Sequence, residues 1–231
     1  MVSADRFAQG MTFDQYVSYT ASPESLARES SPGGAGRAKW SEHLRRVYEA
    51  TRLTPAQQAA WTWLVGQPEG PARVLAISEE WSSDCRRDIP VIAKVAATAG
   101  LELRIFPRDG QRFGAAPEPD PKESPNADLM AQFLNRRDGK TFQSIPVIVF
   151  YTRDMKELYR YIELPAVYHK DRIVGAVRAA RPGETPEQTR ERGQRDFMAM
   201  QETPFFDVWR EAAVAEWLSM LYERARVGSL A

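Results

Sequence analysis

The stretch Val74 to Pro90, V-L-A-I-S-E-E-W-S-S-D-C-R-R-D-I-P, limits what this chain can fold into more than any other. It opens with an apolar β-type run, Val74 to Ile77. It then crosses a polar elbow, Ser78 to Asp84, and enters a helical pattern carrying Ile89, Ile92, Ala93 and Ala96. A strand, a tight turn and a helix N-terminus in that order are where α/β proteins place chemistry, because unpaired backbone N–H groups and the helix dipole converge there. The chain's only cysteine, Cys85, falls in the first turn of this helix.

Around that stretch lie 231 residues, enough for one large domain or one domain with elaborations. Hydrophobic residues make up 43%, which supplies a sizeable core. Lys+Arg and Asp+Glu number 31 each, and a balanced charge argues against nucleic acid or a membrane surface as partner. No run approaches the roughly 20 apolar residues of a membrane span. The opening residues M-V-S-A-D-R-F lack the basic-then-apolar layout of a signal peptide. A single cysteine allows no internal disulfide, and no Cys/His spacing suits structural zinc. We expect a reducing cytoplasm and no metal.

The spacing predicts helices over 12–19, 40–51 and from Thr54-Pro55 onward, the last with an apolar face of Ala59, Ala60, Trp63 and Leu64. The Ser-, Pro- and Gly-rich 21–38 reads as a flexible loop. Gly100 should end the helix that starts at Ser83, and 101–106 should be a strand. Prolines mark 107–125 as a long loop. A helix is expected over 126–134, then a buried strand from Pro146 to Tyr151 and a hairpin partner over 156–162. The rest should be helical, over 168–179, 186–200 and 205–226. Phe206, Trp209, Ala213, Trp217, Met220 and Leu221 form a stripe that is either core or a surface for a homodimer.

Three features in this order resemble the thioredoxin superfamily. Trp81 precedes Ser82-Ser83-Asp84-Cys85, which stands where that family has Cys-x-x-Cys. Pro90 stands where the family's proline kinks the helix, and Ser144-Ile145-Pro146 stands where it has its cis-proline. The wording W-x-x-D-C, with L-R-I-F-P-R-D and N-x-D-L-M further on, looks closest to a bacterial thioredoxin-like branch with W-C-G-D-[AC] motifs. The resemblance covers Arg73 to Leu164. It implies an α/β fold: a thioredoxin-like mixed β-sheet flanked by helices (71–164), with an N-terminal helical extension (1–70) and a C-terminal one (165–231) packed on it. By the resemblance Cys85 and Ser82 hold the catalytic positions, and Trp81, Ser83, Asp84, Ile145 and Pro146 face the substrate.

The departure at Ser82 matters most. Disulfide exchange needs an attacking thiolate and a second, resolving sulfur, and a serine hydroxyl replaces neither. The expected protein is a thiol-disulfide oxidoreductase relative with an incomplete S-x-x-C site, its serine either native or engineered. Two alternatives stand beside it: a glutathione-binding transferase-like protein, and a non-catalytic module that holds an extended peptide. Ser82 is either an N-cap or a hydroxyl that holds a glutathione thiolate, with Arg86, Arg87 and Arg108 receiving carboxylates. Cys85 is either reactive or a small buried side chain. No cofactor is expected, with glutathione a substrate at most; the partner is a protein thiol or disulfide, an extended peptide or glutathione. Glu79 and Glu80 read as exposed loop acids, with a proton acceptor for a thiol the alternative, and His43 reads as solvated.

Overall fold

The computed structural model describes residues 1–29 and 37–227. Six strands and ten α-helices follow one another along them: α1 Ala4–Ala8, α2 Phe13–Thr20, α3 Pro23–Ala27, α4 Trp40–Ala50, α5 Pro55–Val65, β1 Arg73–Ser78, α6 Ser83–Ala99, β2 Glu102–Pro107, α7 Ala127–Met130, β3 Asn135–Arg137, β4 Lys140–Phe142, β5 Val147–Tyr151, β6 Glu157–Ile162, α8 Lys170–Arg178, α9 Pro186–Met200 and α10 Pro204–Val227. The main sheet runs β2-β1-β5-β6. Strands β1 and β2 are parallel, while β5 is antiparallel to both β1 and β6. This is a thioredoxin-like mixed sheet, as the resemblance implies.

Every residue of β5, and all of β1 after Arg73, is buried, so both faces of the sheet's centre are covered. Ile148 and Phe150 lie opposite Tyr161 and Tyr159 on one face. Trp61 of α5 stacks on Phe150 at 6.0 Å, and Trp217 of α10 meets Tyr161 edge-on at 5.5 Å. On the other face Arg6 of α1 sits over Phe106 and grips Asp128 at 2.8 Å. One continuous core therefore takes Phe7, Tyr16 and Leu44 from the N-terminal helices and Ala213, Trp217 and Leu221 from α10. At about 25 cal/mol per Å², burial of such side chains is the main term holding the added helices down. The α10 stripe is thus taken up within the chain, with Met220 half-buried at its margin. No helix among the described residues is long and apolar enough to cross a membrane.

Local signals set the element ends. Thr54 and Gln57 close a reciprocal capping box at α5. Gly100 adopts φ +73°, the left-handed turn that ends α6. Three expectations need correction. The buried face of α5 is Trp61 and Leu64, while Ala59 is exposed: the largest ring, not the alanines, sets the phase against the sheet. The helix expected over 126–134 is only α7, Ala127–Met130, and the chain then enters a β3–β4 hairpin that turns at Asp138 and Gly139, at φ 51° and 72°. The loop over 21–38 contains α3 and a single 3₁₀ turn at Arg37–Lys39, and its residues 30–36 lie outside the described ones. Of the loop expected over 107–125, Pro107 belongs to β2, and 108–125 carry no strand or helix, yet Arg108 and Asp109 at their start are buried.

Candidate functional site

The elbow between β1 and α6 brings together five of the seven candidate site residues. Ser82 is the N-cap of α6, and its Oγ accepts the Cys85 N–H at 3.4 Å. Ser83 begins the helix half-buried, and Asp84 and Cys85 turn inward. Cys85 is 1% exposed. Burial pushes its thiol up to about 12, against hydrogen bonds to Ser78, the Glu79 backbone and Ser82 that act the other way. The ring of Trp81 stands half-buried beside the Arg108 guanidinium, 5.1 Å away, with Phe113 edge-on at 5.2 Å.

The remaining two candidates sit at the start of β5. The Ile145–Pro146 peptide bond is cis, and both residues are buried. After it the Pro146 carbonyl accepts the Glu163 N–H at 2.8 Å, which joins this corner to the end of β6.

The charges around the elbow do not lie where the sequence suggested. Glu79 and Glu80 are each 1% exposed, not loop acids in solvent. Arg28 binds Glu79 at 2.9 Å, the Asp109 N–H donates to Glu79 at 2.8 Å, and Arg37 Nε donates to Glu80 at 2.5 Å. Burial outweighs Arg28 and lifts the Glu79 carboxyl to about 7, helped by Asp109 and Glu80. On the helix side, Arg87 clamps Asp88 through two bonds of 2.8 and 2.7 Å and Asp84 through one of 2.6 Å. Tyr161 donates to Asp88 at 2.8 Å, and Lys170 pairs with both Asp84 and Glu163.

These networks engage the three arginines assigned to glutathione carboxylates. Arg87 is fully buried among acids. Arg86 donates to the carbonyls of Glu80 and Trp81 and to Gln201, and lies 3.7 Å from the Trp40 ring centroid. Arg108 is held by Asp109 and the Gln143 carbonyl. His43 is also not solvated as expected: burial, then Arg86, Arg46, Arg210 and Lys39, hold it down to about 4. Exposed His169 precedes α8 without capping it. Among the described residues, no group of three or more His, Cys, Asp or Glu side chains could hold a metal ion.

A cleft of about 480 Å³ opens beside the elbow. Trp81, Ser82, Ser83 and Asp84 form its inner wall, and side chains of α8 and α9 form the outer one. Sequence reading missed this wall, because α8 buries no residue and α9 only Arg192 and Gly193. Neither helix carries a strong apolar stripe that would announce its place.

A family model described as Thioredoxin matches residues 34–114, less than half of the chain, spanning α4 through β2 and including the elbow. No curated protein matches. Among solved structures, a protein of unknown function from Pseudomonas aeruginosa is similar at 17% identity, with a TM-score of 0.50 over 96% of this chain and 98% of that one. An HIV epitope scaffold is similar at 17% identity, with a TM-score of 0.51 and the same coverage. At such identity the likeness speaks for the fold alone, helical extensions included. The sheet order, the elbow and the family match together support the thioredoxin superfamily for this chain.

Proposed function

We propose that the protein is a thioredoxin-like binding protein that performs no thiol–disulfide exchange of its own, its elbow and cis-proline corner serving to hold an extended peptide. The observation that carries this reading is the state of Cys85. With its thiol pushed up to about 12, only about one in 10⁵ molecules would hold a thiolate at pH 7. No second cysteine exists to resolve a mixed disulfide. Ser82 Oγ, the other candidate group, is spent on capping α6.

Catalysed reduction of insulin by dithiothreitol tests the reading: the chain should leave the uncatalysed rate unchanged, and acceleration would overturn it. The Ser82→Cys variant, run alongside, asks whether the elbow retains exchange geometry. Gain of turnover there supports descent from an oxidoreductase, and no gain retires that ancestry as an account of the site. Glutathione has weaker support than a peptide, since the arginines that would receive its carboxylates are engaged elsewhere. A glutathionyl mass gain on Cys85 in the folded chain would favour it. We place the protein in a reducing cytoplasm on the strength of its single, buried cysteine.

A further inference from the structure

The cleft beside the elbow has an unbalanced set of charges. On its inner wall Asp84 is occupied by Arg87 and Lys170, and Arg86 by two carbonyls and Gln201. On its outer wall two cations remain, Arg178 and Arg190, both exposed. Arg178 lies over the Phe197 ring at 4.5 Å, and neither guanidinium has a carboxylate partner among the described residues. Gly193 lets α9 approach α8 here: a Cβ on it would stand 3.3 Å from the Arg178 backbone. The apolar part of the wall comes from Trp81, Val174, Phe197 and Met198, and uncharged polar side chains from Ser82, Ser83, Thr189 and Gln194.

We propose that this cleft binds a small organic anion, a carboxylate or phosphate ester with an apolar body, whose headgroup meets Arg178 and Arg190 while the body lies between Trp81 and Phe197–Met198. The volume falls within the range of small-molecule sites, and a few directed polar groups on an apolar wall are their usual composition. Guanidinium forks suit planar or tetrahedral oxyanions better than single-point cations do. The Ser83 and Asp84 N–H groups, which head α6, add a favourable field on the inner side. The proposal rests on the elbow being a binding site and names the ligand class that its cleft accepts.

The probe is 1-anilinonaphthalene-8-sulfonate, an aromatic anion, beside its uncharged counterpart N-phenyl-1-naphthylamine and inorganic phosphate. The sulfonate should bind saturably at one equivalent, weaken with added salt, and be displaced by decanoate but not by inorganic phosphate. Arg178→Gln with Arg190→Gln should weaken sulfonate binding about tenfold or more, while leaving the uncharged dye's affinity unchanged. Met198→Glu should weaken sulfonate binding by introducing a repelling charge, and Arg136→Gln, an exposed arginine elsewhere, should not change it. Equal sulfonate affinity in the chain and the double variant overturns the proposal. So does displacement by inorganic phosphate alone, which would mean a site without its apolar half. The insulin assay reads the absence of exchange and this titration reads the cleft, so either can fail without the other.

Discussion

At the upstream end of the elbow, Glu79 and Glu80 turn inward onto Arg28 and Arg37; at its downstream end and just beyond, Asp84 and Asp88 close on Arg87. Both clusters are buried, and each ties the sheet to a helical extension. They differ in how completely they are satisfied. Upstream, Glu80 Oε2 and Arg28 Nε are buried with no hydrogen bond, and Glu79 is lifted to about 7. Downstream, no buried nitrogen or oxygen of Arg87, Asp84 or Asp88 lacks a partner. Burial alone would raise both carboxyls: at Asp84 Lys170 and Arg87 outweigh it and hold the group below its ordinary value, while at Asp88, which has Arg87 but not Lys170, burial prevails and lifts it. Full bonding fixes geometry, and a carboxylate that also has two cations keeps its charge; one in a partly bonded cluster, as Glu79 is, can give it up within the neutral range.

The largest effect should come from breaking the satisfied cluster. Arg87→Met removes one cation from between two buried carboxylates, leaving Asp88 with only the Tyr161 hydroxyl. Loss of one partner from such a pair costs about 3–5 kcal/mol, and chemical denaturation at pH 7 measures it. A loss under about 1 kcal/mol would mean the cluster behaves like a surface pair, no different in kind from two charges in solvent.

The unsatisfied cluster should show itself through pH. Glu79 has its folded pKa raised above the unfolded value, so its contribution is fully present below about pH 4.5 and is lost as pH rises through about 7. One such group changes stability by up to about 1.4 kcal/mol per pH unit within that window. His43 opposes it: its folded pKa is lowered to about 4, so its contribution is present above the ordinary histidine value and is lost as pH falls toward 4. The intact chain should therefore have a shallow profile between pH 5 and 7. Glu79→Gln should leave a stability that rises with pH, and His43→Gln one that falls. Parallel profiles for all three proteins would remove Glu79 as the titrating group.

How much of this could be read from residues alone follows the same division. The strand–elbow–helix unit was legible because its signals are local: an apolar run, Ser82 as a cap, and Gly100 as a stop. The cis bond at Pro146 was legible only through resemblance, since propensity favours trans. The inward turn of Glu79 and Glu80 was not legible, because their partners Arg28 and Arg37 lie 51 and 43 residues away in sequence. Nor was the cleft, whose outer wall is built from two polar helices that only the folded chain sets opposite Trp81. The Asp138-Gly139 pair is itself a hairpin signal in the sequence, beyond the end of the helix expected over 126–134.

A smaller effect separates the α8–α9 hairpin from the core. Lys170 is the partly buried tie between α8 and the satisfied cluster, its side chain 20% exposed. Lys170→Met removes its bonds to Asp84 and Glu163 but leaves Arg87 on Asp84, so a loss of about 1.5–3 kcal/mol is expected. Limited proteolysis between α8 and α9, over 179–185, should accelerate. Unchanged cleavage with unchanged stability would show that the hairpin is held by something other than this ion pair.

The smallest effect sharpens the point that burial, not the count of ion pairs, decides. Arg137 and Asp171 also tie α8 to the body of the protein, at 2.6 Å, shorter than many of the buried contacts. Their side chains are 51% and 72% exposed, so water and salt screen the attraction, and ordering two long side chains offsets much of what remains. Arg137→Ala should therefore change stability by no more than about 0.5 kcal/mol and leave cleavage over 179–185 at the parent rate. If it instead freed the hairpin as fully as Lys170→Met, distance would be the better guide than solvent exclusion. The downstream cluster would then owe its strength to contact geometry that a surface pair can reproduce.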